Sequence, residues 1–380
     1  MVELGTLIHQ AKIVRCGEGD YPILSMTMHD GLVFQNDKFN KTIASKDRSD
    51  YKIVNRNQLV ISFPIDEGVL AAQRIVDAGI VSPAYGIWDI NQEMILPEFL
   101  EYALRCNRAL SYYKAKLRGS TARRRSLPTP TLLAYTVPLP DISEQEHILN
   151  VVHKTQKVIS DRTEEISLLD NLIKARFVEM FGDPEINSFD WPVCTLKELV
   201  SIEPQNGLYK PQSAYVQDGS GFPIVRIDVF YNGRITNFST LKRLECSESE
   251  VQRYLLQEND IVINRVNSIE YLGKCAHIKG LLEETVFESN MMRLHLDDTV
   301  MNAVFATKLL CSQYIYKQIM IRAKKSVNQA SINQQDVLSF RMFVPPLELQ
   351  EQFAAFVEQT DKSKVVVQKA LSKNAQYFTI

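Results

Sequence analysis

The stretch SEQEHILNVVHKTQKVISDRTEEISLLDNLIKARFVEMFGDP, Ser143 to Pro184, decides how the rest of the chain is read. It carries one continuous helical pattern. Ser143 with Glu146 three residues later has the form of a capping box. Ile148, Val151, Val152, Val158, Ile159, Ile166, Leu169, Leu172, Ile173, Phe177 and Met180 recur at three- and four-residue steps, an apolar seam of helical period. Gly182 and Pro184 supply the stop. At about 1.5 Å rise per residue such a helix is about 58 Å long. One apolar stripe on a helix of that length requires a partner helix. Charged residues every few positions exclude a membrane span.

Outward from this helix the chain repeats itself. Leu132, Leu133, Tyr135, Val137, Leu139 and Pro140 match Val337, Leu338, Phe340, Met342, Val344 and Pro345. Gln145 and Glu146 match Gln350 and Glu351, and the helix that follows matches too. Upstream, Asn57-Gln58-Leu59-Val60-Ile61-Ser62 matches Asn259-Asp260-Ile261-Val262-Ile263-Asn264, and Asp30-Gly31 matches Asn232-Gly233. Matches that keep their order along a whole half indicate a duplicated unit. The chain therefore reads as a globular domain (1–140), a long helix (141–184), a second globular domain (185–345) and a second long helix (346–380). Each domain reads as α+β. Short strands such as Tyr21–Met28, Leu59–Phe63, Val225–Val229 and Ile261–Asn264 come first. A helix at Pro97–Lys116 or Met301–Ala323 follows, then a polar loop and an apolar strand ending in proline. The last helix, from about Glu348 to Gln376, is the expected antiparallel coiled-coil partner of the central one. Lys364 and Asn374 intrude on its seam.

Composition places the chain among ordinary globular proteins: 380 residues, 45% hydrophobic and 23% charged. Met1-Val2-Glu3-Leu4 has neither the basic head nor the apolar run of a signal peptide. The six cysteines are scattered without a CxxC pair, which suits reduced thiols in the cytoplasm. The net charge of −2 does not advertise a nucleic-acid binder. Its distribution is uneven: residues 1–140 hold a small basic excess and residues 141–184 an acidic one.

The motifs of catalysis are missing. There is no GxGxxG, GxxxxGK[ST], HExxH or GxSxG, and the histidines have no metal-ligand spacing. Asp297-Asp298 and Glu283-Glu284 read as solvated turn residues. What remains is a pair of polar basic loops in equivalent places. In the first half Arg118, Ser120, Thr121, Arg123, Arg124 and Arg125 lie between the helix and the last strand. Arginine there offers paired donors to phosphate or to guanine. In the second half Lys324, Lys325, Asn328 and Gln329 occupy the matching place, and the amides of Asn328 and Gln329 suit adenine. Arg226, Arg234, Arg265 and Asn267 are weaker candidates, with Asn232, Ser268 and Lys274 beside them. Arg74, Ser25, Thr27 and His29 are first-half counterparts. A structural role for any of these is an open alternative.

The pattern VPLPDISEQEHI (Val137–Ile148), the helix ending FVEMFGDP (Phe177–Pro184), then WPVCTLKEL (Trp191–Leu199) and the second copy VPPLELQEQF (Val344–Phe353) resemble the specificity subunit of type I restriction–modification systems. The resemblance runs over essentially the whole chain. It implies two target recognition domains on two long antiparallel helices, related by an approximate two-fold axis. It implies a non-catalytic subunit whose domains each read one half of a split double-stranded DNA site. The helices would set the spacer and dock two methyltransferase subunits, with restriction and translocase subunits joining them. S-adenosylmethionine, ATP and magnesium would be used by those partners and not by this chain. Glu144, Glu164, Glu165 and Lys174, on the outward faces of the central helix, are the expected docking residues. The last helix stops a few residues short of its internal counterpart. Competing readings are a modification enzyme with a cryptic site, a scaffold that binds protein, and a specificity subunit of another restriction class.

Overall fold

The computed structural model describes residues 1–38, 48–117, 127–235, 237–327 and 329–378. It divides into two compact units, Met1–Thr163 with Lys369–Ile380, and Glu164–Gln368. Each is α+β. The first is built on a four-stranded antiparallel sheet in the order Ile8–Gln10, Gly86–Ile90, Leu59–Ile61, Leu70–Ala72. The second has a six-stranded sheet: Val200–Asn206, Met291–Leu296, Ile261–Asn264, Cys275–His277, Gly233–Ile235, Phe230–Tyr231. Its first four strands repeat the order seen in the first unit, and Gly233–Ile235 then joins Cys275–His277 in parallel.

The turns match as well. Asn57 and Asn259 both take a left-handed backbone, φ 68° and 69°, and so do Gly31 and Gly233, φ 66° and 85°. Asparagine tolerates that conformation and glycine favours it. At Gly233 a Cβ would also come within 3.0 Å of the Thr307 side chain.

The helix expected over Pro97–Lys116 is two helices, Pro97–Arg105 and Asn107–Lys116, broken where Cys106 turns extended (ψ 157°). The break redirects the second segment so that Ala109 and Tyr113 join Leu100 and Leu104 in the core. The Tyr113 hydroxyl donates to the Leu104 carbonyl across it. The second unit breaks likewise into Ala303–Leu310 and Gln313–Arg322. There Asn302 and Ser312 accept backbone N–H bonds as caps.

The central helix spans Ile142–Phe181. Its cap is not the Ser143–Glu146 box. Asp141 Oδ1 accepts the Glu144 N–H at 2.8 Å, because the helix begins before Ser143 and places it inside the first turn. The seam also departs from expectation: Val151, Val158 and Leu172 are 51%, 42% and 48% exposed. In the second unit the buried face is Ile173, Phe177 and Phe181, at four-residue steps. Leu172 stands about 100° round the helix from Ile173 and so misses it.

Phe177 and Phe181 pack on Phe353, at 5.4 and 5.5 Å between ring centroids. Phe353 belongs to the last helix, Leu347–Phe378. Further along, Lys364 Nζ meets Asp170 at 2.5 Å and Asp361 at 3.0 Å. Since 170 faces 364 while 177 and 181 face 353, the helices run antiparallel. Lys364 is 3% exposed and held between two carboxylates, so the residue that interrupts the seam is a paired charge within it. No helix among the described residues is long and apolar enough to cross a membrane.

Candidate nucleic-acid interface

In the second unit the candidates that lie apart in sequence converge. Lys324–Lys325 pairs with Ala330–Ser331, which pairs in turn with Val266–Asn267. The result is a three-stranded antiparallel ribbon, closed at its tip by the Ser326 N–H on the Gln329 carbonyl at 2.7 Å. Arg322 anchors its base: its Nε donates to Ser339 Oγ at 2.7 Å. Ile332 N–H donates to the Arg265 carbonyl at 3.0 Å. Lys324, Lys325 and Gln329 are exposed, Asn267 is half-buried, and Val327 at the tip is 96% exposed. The outer hairpin, Lys324–Lys325 with Ala330–Ser331, is a two-stranded ribbon of the kind that a DNA major groove admits, and lysines on it suit phosphates. Asn328 lies outside the described residues, and so do Arg118, Ser120, Thr121, Arg123, Arg124 and Arg125 of the first half.

Three other candidate arginines are engaged within the unit. Arg234 bonds Asp361 of the last helix at 2.9 Å. Arg226 lies 3.4 Å from Glu288 and 3.7 Å from Asp228, its guanidinium over the Tyr215 ring. Arg265 donates to the Ser289 carbonyl at 3.1 Å. Arg226 and Arg265 thus meet on the segment Glu288–Asn290 beside the ribbon. Asn232 donates to Asp170 at 2.9 Å, and its carbonyl takes Lys308 Nζ at 2.7 Å. These contacts tie the sheet to the helix pair.

Sequence reasoning missed the aromatic surroundings of Lys274. Its amine stands 3.8 Å from the Tyr231 ring centroid, 4.8 Å from Phe230 and 5.9 Å from Tyr271. Burial among these rings holds the amine below the usual lysine range. Tyr231 and Tyr271 are about half exposed. Both flank turns, but nothing in their spacing marks them as a pair.

In the first unit the weaker candidates are also structural. Arg74 pairs with Glu98 at 2.9 Å, which also bonds His153. Thr27 Oγ1 donates to the Gly31 carbonyl, and Arg105 takes the Met28 and His29 carbonyls. On the central helix Glu144, Glu164 and Lys174 are exposed and Glu165 is half-buried. Among the described residues no cluster of His, Cys, Asp and Glu is arranged to hold a metal ion.

Residues 189–375 match the family described as type I restriction modification DNA specificity domain. The chain is 31% identical over 189 residues to a Methanocaldococcus jannaschii protein named as the type I restriction enzyme MjaX specificity subunit, covering 48% of this chain and 43% of that one. It is 28% identical over 164 residues to the type I restriction enzyme EcoKI specificity subunit of Escherichia coli K12, covering 43% and 34%. The matched region thus spans less than half of either relative. The fold extends further. A type I restriction–modification S subunit from M. genitalium superposes with a TM-score of 0.56 at 14% identity, over 99% of this chain and 92% of that one. A second solved chain, from a study of type I R-M assembly and conformational transition, gives 0.56 at 16% identity over 99% and 93%. Residues 189–375 thus match a type I restriction modification DNA specificity domain, and the fold of the chain as a whole is similar to that of the solved S subunit.

Proposed function

We propose that this chain is the non-catalytic DNA-reading subunit of a type I restriction–modification complex. In this reading residues 1–140 and 185–345 are two target recognition domains, each taking one half of a split double-stranded site. The long helices at 141–184 and 346–380 set the distance between the half-sites. Two methyltransferase subunits dock on the outward helix faces that carry Glu144, Glu164, Glu165 and Lys174, and restriction and translocase subunits join that core. S-adenosylmethionine, ATP and magnesium act in the partners. The observation that carries the reading is the ribbon on which Lys324, Lys325, Gln329 and Asn267 meet, inside the stretch that matches the specificity domain.

In the second domain Lys324 and Lys325 contact phosphate, while Gln329 and Asn267 reach base edges. The engaged arginines 226, 234 and 265 then support the reading surface from behind. In the first domain the arginine loop, with Arg118, Ser120, Thr121, Arg123, Arg124 and Arg125, does the equivalent work.

The test is the methylome of a host carrying the intact operon, with and without a heptad inserted into the central helix. A split methylated site is expected, and the heptad should change its spacer and neither half-site. Altered half-sites with an unaltered spacer would refute the ruler. No site-specific methylation with all subunits expressed would refute the function.

A further inference from the structure

Six cysteines are distributed along the chain, and two that are far apart in sequence lie together in the second unit. Cys275 begins the strand Cys275–His277 and is fully buried in the sheet. Cys311 follows the helix Ala303–Leu310 as its C-cap and is solvent-exposed. Their sulfurs are 3.2 Å apart, and both are free thiols. A disulfide needs about 2.05 Å, so closing the bond takes a movement of roughly 1 Å. Cys311 also lines two clefts, of 530 and 520 Å³, so a small reagent can approach it. Cys275 lines neither.

We propose that Cys275 and Cys311 are a redox-sensitive thiol pair that closes into a disulfide when the chain meets an oxidising low-molecular-weight disulfide. The roles follow from the surroundings. The two thiols share a hydrogen bond, and the ammonium of Lys308 lies close by; together they favour the Cys311 thiolate. The hydrogen bond with Cys311, and then burial, hold the Cys275 thiol protonated. Cys311 attacks one sulfur of the reagent. A mixed disulfide forms and one small thiol leaves with a proton. Cys275 then gives up its proton and attacks Cys311 Sγ, and the second small thiol leaves. Two protein thiols are oxidised and one disulfide reagent is reduced to two thiols. The new bond staples the end of a helix to a central strand and closes a loop from 275 to 311.

The experiment incubates the full chain with oxidised glutathione, then denatures it, counts thiols and takes an intact mass. Wild type should lose two of six thiols and two hydrogens in mass, with no retained glutathione. Dithiothreitol should reverse both. Cys311→Ser should abolish the loss, Cys275→Ala should lose one thiol and retain one glutathione on Cys311, and Cys246→Ser should still lose two. The oxidised form should melt about 5 °C higher than the reduced one. Six thiols remaining in wild type, or glutathione retained on Cys311 without closure, would overturn the proposal. So would loss of two thiols in Cys311→Ser.

Discussion

Gln145 and Gln350 hold the same place in the two halves, and each is fully buried. Gln145 accepts the Leu96 N–H and donates to the Met94 and Pro140 carbonyls, at 2.8, 3.0 and 2.9 Å. Gln350 accepts the Asn302 N–H and donates to the Val300 and Pro345 carbonyls, at 2.8, 3.1 and 2.8 Å. One amide closes three backbone groups where each long helix leaves its domain. Nearby the halves diverge. Gln58 accepts the Asn55 N–H and donates to Asp89. Its counterpart Asp260 accepts the Gln257 N–H, meets His295 at 2.9 Å and lies 3.6 Å from Arg293. The backbone bond is retained while a neutral amide becomes a fully buried carboxylate, whose proton affinity burial raises. The junction between domain and helix is kept; the sheet around it is free to change its charges.

The comparison can be broken first at the shared amide. Gln145→Leu and Gln350→Leu each orphan one N–H and two carbonyls, so each should cost about 2–4 kcal/mol in its own unit. The chain has one tryptophan in each half, Trp88 and Trp191. Single-tryptophan variants in urea therefore assign the loss. A loss of equal size from both would support a shared device; no loss from either would refute it.

A smaller effect separates the halves. His277 has its pKa lowered to about 4, chiefly by burial and then by Lys279; Glu258 and Asp298 oppose the shift, and Lys308 adds to it. The matching strand in the first half, Leu70–Ala72, has no histidine. A histidine with a depressed folded pKa binds fewer protons folded than unfolded. Its contribution is complete above about 6.5 and is lost as pH falls towards about 4. The second unit should lose on the order of 2 kcal/mol across that window, and His277→Gln should remove this component. Urea midpoints at several pH values check it. An identical slope in wild type and variant would rule it out.

The smallest expected effects concern DNA. Lys324→Ala and Lys325→Ala should each lower the salt slope of binding by the assembled complex by about 1. Arg123→Ala and Arg124→Ala should do the same from the other half. Titrations over a range of salt, with either half-site mutated, tell the two domains apart. Slopes that do not move would discard the loop concerned.

Sequence alone settled the duplicated plan, the two long helices and the α+β character, because local period and internal repetition are written in residue order. The equivalence of Gln145 with Gln350 was legible as a match, but the bonds that explain it were not. Tertiary structure decided what depended on distant partners. Lys364 looked like a flaw in the seam until Asp170 and Asp361 stood on either side of it. Arg234 looked available until Asp361 took it. Lys324 and Asn267 became neighbours only through strand pairing. The central helix illustrates the division. Its existence follows from a 3.6-residue period within one segment. Which of Leu172 and Ile173 is buried depends on Phe305, Phe343 and Phe353, and no local pattern records where those will be.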